Sequence, residues 1–194
     1  MSNCTDYHTY KIEYLAQNIN HYLKNKSAVY LFKFDFNSVI DYSSDSTVLQ
    51  GIESLITKTY HEKREDMIGL FFNTTIELTS NIFRDKKRDD LIDVIAQDSS
   101  NNYKNIKNLL NIITENQHPL YIGKANKLAS RIKQHLSGGG QSKLKENLAK
   151  YNIDIDKCIL SFHYIDDNLN DSTNELFEDV ITRILKPGFV RRIG

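Results

Sequence analysis

The sequence predicts an α/β (α+β) protein. Aromatic and β-branched runs read as short strands, and in the second half they alternate with amphipathic helical stripes. Glycine or proline falls where several of those stripes end. At 194 residues, 40% hydrophobic and 26% charged, the chain suits one globular domain, or one domain carrying a large insertion.

Residues 8–25 place Ile12, Leu15, Ile19 and Leu23 at helical spacing, which predicts an amphipathic helix. AVYLFKFDF at 28–36 is aromatic and partly alternating, so it predicts a strand. From about 38 to 117 glycine is scarce while Asn, Asp and Lys abound. There the pattern predicts helices at 48–62 and 104–115 and a strand in MIGLFFNTTIEL at 67–78. DKKRDD at 85–90 and QDSSNNYKN at 97–105 read as solvated turns or linkers.

HPLYIG at 118–123 predicts a short strand entered through Pro119 and ended by Gly123. NKLASRIKQHLSGGG then sets Leu128, Ile132 and Leu136 at i, i+4 and i+8, with glycines to stop the helix. SGGGQSK follows a helix rather than a strand and lacks the spacing of a phosphate-binding loop, so it reads as a helix-ending turn. A further helix at 142–150 and a strand in KCILSFHYI at 157–165 follow. Ser172 and Glu175 form a capping box that opens a helix running to about 185, and Pro187 lies just beyond it.

No apolar run approaches the roughly 20 residues that span a bilayer, and the polar N-terminus lacks the pattern of a signal peptide. Cys4 and Cys158 are too few for a disulfide framework. These features predict a cytoplasmic protein with reduced thiols and no membrane association. Net charge is zero, so a nucleic-acid role needs an uneven distribution. Residues 121–151 hold seven lysines or arginines against Glu146 alone, whereas 153–179 hold eight acids against Lys157. A basic block of this kind is commonly a solvated face and decides nothing by itself.

Lys127, Arg131 and His135 stand four apart, so they share one helix face beside the apolar stripe. An arginine there suits a phosphate, since its planar fork donates two bonds to two oxygens. On the helix opened by Ser172, Glu178 falls at the rim of the apolar face, where a carboxylate can reach a hard cation.

Taken together these residues resemble the GIY-YIG endonuclease family. Tyr121-Ile122-Gly123 matches the second half of the name motif, Lys124 follows directly, and Arg131 and His135 sit ten and fourteen residues after Tyr121. Glu178 precedes LKPGFV by the family's spacing for its metal-binding glutamate, and that ending resembles the closing L-x-P-x-x-N. The resemblance covers 118–194 well, about two-fifths of the chain. Two departures stand out: Val190 replaces the usual Asn, and the best GIY half is Ala28-Val29-Tyr30, ninety-one positions before Tyr121.

The resemblance implies a small antiparallel three-stranded sheet flanked by helices. A large, mostly helical insertion at about 38–117 would lie between its first two strands. An N-terminal helical segment (1–27) would precede a nuclease domain (28–194). It implies a Mg²⁺-dependent (or Mn²⁺-dependent) DNA endonuclease, with the metal on Glu178 and the phosphate on Arg131. Tyr30 would be the general base, helped by Tyr121, Lys124 or His135, or His135 would be the base itself. Lys124, Lys127, Lys133 and Lys143 would contact DNA, and a homodimer is compatible with this reading. With the nuclease module at the C-terminus, target recognition would fall to the N-terminal helix and the insertion, as in compact restriction enzymes. Restriction, phage defence or mobile-element cleavage is the leading expectation. The alternatives are a repair or recombination nuclease and a non-cleaving nucleic-acid binder.

Overall fold

The computed structural model describes residues 7–59, 64–68, 72–76, 90, 93–94, 96–138, 142–150, 152–165 and 180. The chain divides into two compact units, one of residues 1–35 with 113–194 and one of residues 36–112.

The first unit is built on a four-stranded sheet. Its strands are β1 (Tyr7–Lys11), β2 (Ala28–Phe34), β5 (Tyr121–Ala125) and β6 (Cys158–Tyr164), in the order β1-β6-β2-β5. Every neighbouring pair is antiparallel. The fold class is therefore the mixed α/β one that the sequence predicts, with one strand more than expected. The extra strand is β1, and it corrects the reading of 8–25 as a single helix. Tyr7–Lys11 pairs with Ile159–His163 instead, and helix α1 (Ile12–Gln17) starts only at Ile12. Asn18, at φ −151° and ψ 66°, separates α1 from the short helix α2 (Ile19–Tyr22). The helical stripe itself holds, because Ile12, Leu15, Ile19 and Leu23 are all buried.

Helices α5 (Leu128–Ser137) and α6 (Leu144–Lys150) complete the unit. Their Leu128, Ile132 and Leu148 join Ile12 and Leu15 in one core with Tyr30, Phe32, Leu160 and Phe162 of the sheet. Gly138, at φ 67°, ends α5 in the left-handed conformation that suits glycine. Gly123 does not end its strand, contrary to the sequence reading. It lies mid-strand in β5, directly opposite Tyr30. The chain returns to β5 through Gln117, whose Nε2 donates to Phe34 O at 2.6 Å, and Leu120, whose N donates to Phe32 O at 2.7 Å. Just beyond the same end of β2, Lys11 pairs with buried Asp35 at 2.7 Å.

The second unit holds helix α3 (Asp45–Thr59), the antiparallel hairpin β3 (Arg64–Ile68) and β4 (Phe72–Ile76), and most of helix α4 (Ser99–Asn116). The hairpin replaces the single strand expected at 67–78. Helix α4 also absorbs most of 97–105, which the sequence assigned to a turn or linker. Asp98 explains this start: its carboxylate accepts from Asn101 N and Asn101 Nδ2, an N-cap at the head of the helix. A separate cluster centred on Ile40, Val48 and Leu110 forms this unit's core. Buried Asn37 is satisfied by Lys107 O, Asn111 Oδ1 and the Tyr42 hydroxyl. The turn expected at 85–90 and the helix expected from Ser172 to about 185 lie, apart from single positions, outside the described residues. Among the described residues no helix is long and apolar enough to cross a membrane.

Leu160, on strand β6 between β1 and β2, is fully buried. Leu160→Ala should lower stability by about 2–5 kcal/mol, read as a lower midpoint in chemical denaturation. A change of under about 0.5 kcal/mol would contradict this packing.

Candidate functional site

The site grows from the antiparallel pairing of β2 with β5. Alternation puts Ala28, Tyr30 and Phe32 on the same sheet face as Tyr121, Gly123 and Ala125, with Tyr30 opposite Gly123 and Phe32 opposite Tyr121. Gly123 presents no Cβ, and this lets the Tyr30 ring lie over it. A Cβ built at Gly123 would stand 2.6 Å from Tyr30 Oη and 2.8 Å from Tyr30 Cζ. The glycine is thus required by close approach, not by a turn.

Helix α5 runs across this face and brings Arg131 and His135, one turn apart, to the two phenols. Tyr30 Oη lies 2.7 Å from His135 Nε2, and His135 Nδ1 lies 2.5 Å from Ser142 Oγ. The Arg131 guanidinium stands beside both phenols, where its charge acts on Tyr30, and Tyr121 lies against Tyr30 with ring centroids 6.1 Å apart. The Arg131 guanidinium donates to Gln134 Oε1 at 3.0 Å, which fixes its fork. Phe32 and Tyr121 wall the imidazole edge-on, with ring centroids 5.7 Å and 5.3 Å from it.

Tyr30, His135 and Ser142 form a hydrogen-bonded chain in the core, and the half-buried Tyr121 ring lies against its Tyr30 end. Tyr30 and His135 are each 1% exposed and Ser142 is 3% exposed, whereas Tyr121 and Arg131 remain half-buried. Burial, then the Arg131 charge, holds the His135 imidazole down at about 3. Burial, then the neighbouring Tyr121, pushes the Tyr30 phenol well above its usual value, and Arg131 opposes that rise. At neutral pH the pair is therefore a protonated phenol against a neutral imidazole, with one fixed cation beside it.

Of the residues singled out by sequence, Tyr30, Tyr121, Arg131 and His135 converge. His135 does not line an exposed helix edge as expected. It is buried, because both ring nitrogens find partners inside and the cost of desolvating them is met. Lys124 alternates onto the sheet face opposite Tyr121 and Gly123, so it does not join the phenols. Lys127, Lys133 and Lys143 are exposed, and Lys133 Nζ donates to Asn20 Oδ1 at 2.9 Å. Glu178, Pro187 and Val190 lie outside the described residues. Among the described residues no group of three or more His, Cys, Asp or Glu side chains is placed to hold a metal ion. Sequence reasoning missed Ser142, since a serine next to a glycine-rich turn carries no mark of burial. It also missed the spatial role of Gly123, whose only sign was its place in the motif.

Two outcomes test this geometry. Gly123→Ala forces the buried Tyr30 ring to move, and should destabilise the protein by about 1–3 kcal/mol in chemical denaturation; unchanged stability would contradict the close approach. His135, held near 3 when folded against an ordinary 6.5, takes up its proton more readily in the unfolded chain. Its contribution is present above about 6.5 and is lost as pH falls toward 3. By pH 5 the loss should reach about 2 kcal/mol relative to neutral pH, and His135→Gln should remove this part of the slope. Equal slopes in both proteins would refute the buried neutral imidazole.

The chain matches no family model, no curated protein and no solved structure.

Proposed function

We propose that the protein is a GIY-YIG-type phosphodiesterase, a metal-dependent DNA endonuclease, with Arg131 and the two phenols at its reacting centre. The observation that supports this reading is the convergence of Tyr30, Tyr121, Arg131 and His135 on one sheet face. Those residues lie up to 105 positions apart, and sequence alone had assigned them to one site. Hydrolysis of a phosphodiester needs a bound, charge-stabilised phosphate and an aimed water. Arg131 supplies the first, by offering a guanidinium to the phosphate oxygens at the half-buried edge. The half-buried Tyr121 hydroxyl meets the water first. Tyr121 takes a proton from the water as it hands its own to Tyr30, and Tyr30 acts as general base by accepting it while its own O–H proton passes to the unprotonated His135 Nε2.

Glu178 is the carboxylate assigned to the metal, and Mg²⁺ suits so sparse a protein donor set because it keeps several of its waters. Bound there, Mg²⁺ or Mn²⁺ would supply positive charge to the scissile phosphate and the leaving oxygen. Lys124, Lys127, Lys133 and Lys143 add sequence-independent attraction to the DNA backbone. Restriction, phage defence or mobile-element cleavage remains the leading role, with repair or recombination next. One observation favours a rival reading, a nucleic-acid binder that does not cleave. The Tyr30 side chain is almost wholly buried, away from the solvent a cleaved phosphate would need. A homodimer and a cytoplasmic location complete the proposal.

Supercoiled plasmid incubated with the protein and Mg²⁺ should be nicked or linearised, and chelation should stop the reaction. Arg131→Ala and Glu178→Ala should each lower the rate by about 100-fold or more. Equal cleavage by all three proteins would overturn the assignment. DNA retention with a steep salt dependence, but no cleavage, would establish the binder instead.

A further inference from the structure

The group that faces the far side of His135 has no part in the roles assigned above. We propose that Ser142 is a positioning residue for this site: its hydroxyl accepts from His135 Nδ1–H and so leaves Nε2 bare toward Tyr30. The proposal rests on the phosphodiesterase reading for its catalytic consequence, although the tautomer itself stands on the geometry alone.

A neutral imidazole carries one proton and must offer one nitrogen as donor and the other as acceptor. Here each nitrogen has one hydroxyl within hydrogen-bond distance, Tyr30 Oη at 2.7 Å from Nε2 and Ser142 Oγ at 2.5 Å from Nδ1. Serine can donate or accept, so the choice depends on which hydroxyl gives its proton more readily. A phenol is more acidic than an aliphatic alcohol, and the Arg131 charge beside Tyr30 polarises its O–H further. The aliphatic oxygen is in turn the better acceptor. The Tyr30 O–H therefore donates to Nε2, and Nδ1–H donates to Ser142 Oγ. Only this tautomer lets His135 take a proton from Tyr30, since in the other Nε2 already carries its proton and donates it to the Tyr30 oxygen.

Ser142 sits between the end of α5 and the start of α6, and it is buried. Removing its hydroxyl strands the Nδ1 proton in a buried site, which favours the opposite tautomer or a turned ring. No bond to a reacting atom is involved, so Ser142 acts through His135 alone.

The test uses the full chain labelled with ¹⁵N-histidine, with His135 assigned by the loss of its signals in His135→Gln. Wild-type protein should show His135 protonated at Nδ1 and bare at Nε2. Ser142→Ala, shown by thermal melting to remain folded, should lose that pattern, and Ser142→Thr should restore it. In plasmid cleavage with Mg²⁺, Ser142→Ala should lower kcat about tenfold to a hundredfold with KM little changed, and Ser142→Thr should recover most of it. Wild-type His135 protonated at Nε2, or a pattern unchanged in Ser142→Ala, would overturn the proposal. So would unaltered kcat in Ser142→Ala beside an active wild type. An inactive wild type with the expected nitrogen pattern would instead overturn the phosphodiesterase reading, and would leave the hold of Ser142 on His135 established.

Discussion

The hydrogen bond between Tyr30 Oη and His135 Nε2 is the contact on which the site depends. Forming it places three separate demands on the chain. Strand β5 must pair with β2 in the one register that puts a residue without a side chain opposite Tyr30. Helix α5 must cross the sheet with its Arg131–His135 face turned inward. Ser142 must return to cover the other ring nitrogen. Each group in this set would cost about 1–3 kcal/mol if buried alone, so the arrangement is stable only when complete.

Completeness also fixes the charge state. Burial raises the phenol and lowers the imidazole, so both partners are driven to their neutral forms and the proton stays on Tyr30. Arg131 acts in opposite senses on the two: its charge favours ionisation of Tyr30 and disfavours protonation of His135. A site of this kind is quiet at rest. On the proposed phosphodiesterase reading, positive charge brought near the phenols would ease the release of the Tyr30 proton.

Much of this could be read from the sequence because it rests on local signals. The aromatic run at 28–34, the Leu128–Ile132 stripe, the glycine stop at 138 and the strand at 158–164 each carry their own periodicity or terminator. Tyr121, Arg131 and His135 stand at fixed offsets from one another, whereas Tyr30 is marked only by its aromatic strand, ninety-one positions before Tyr121. What escaped depends on partners remote in the chain. Tyr7–Lys11 leads into a helical pattern and becomes a strand only because the edge of β6 is available to it. The polar QDSSNNYKN stretch looked like a linker, yet Asp98 caps a helix there. His135 looked like an exposed basic residue, and its burial follows from two hydroxyls supplied by residues 30 and 142. The helix that carries Glu178 lies outside the described residues.

The most direct test of the account is Tyr30→Phe, which removes one oxygen from the buried chain and leaves the ring packing in place. With Mg²⁺ and plasmid DNA, cleavage should fall by about 10²–10⁴-fold, while DNA retention at moderate salt should match the wild type. Cleavage at the wild-type rate by Tyr30→Phe would show that the buried phenol is structural and that the proton leaves by another route.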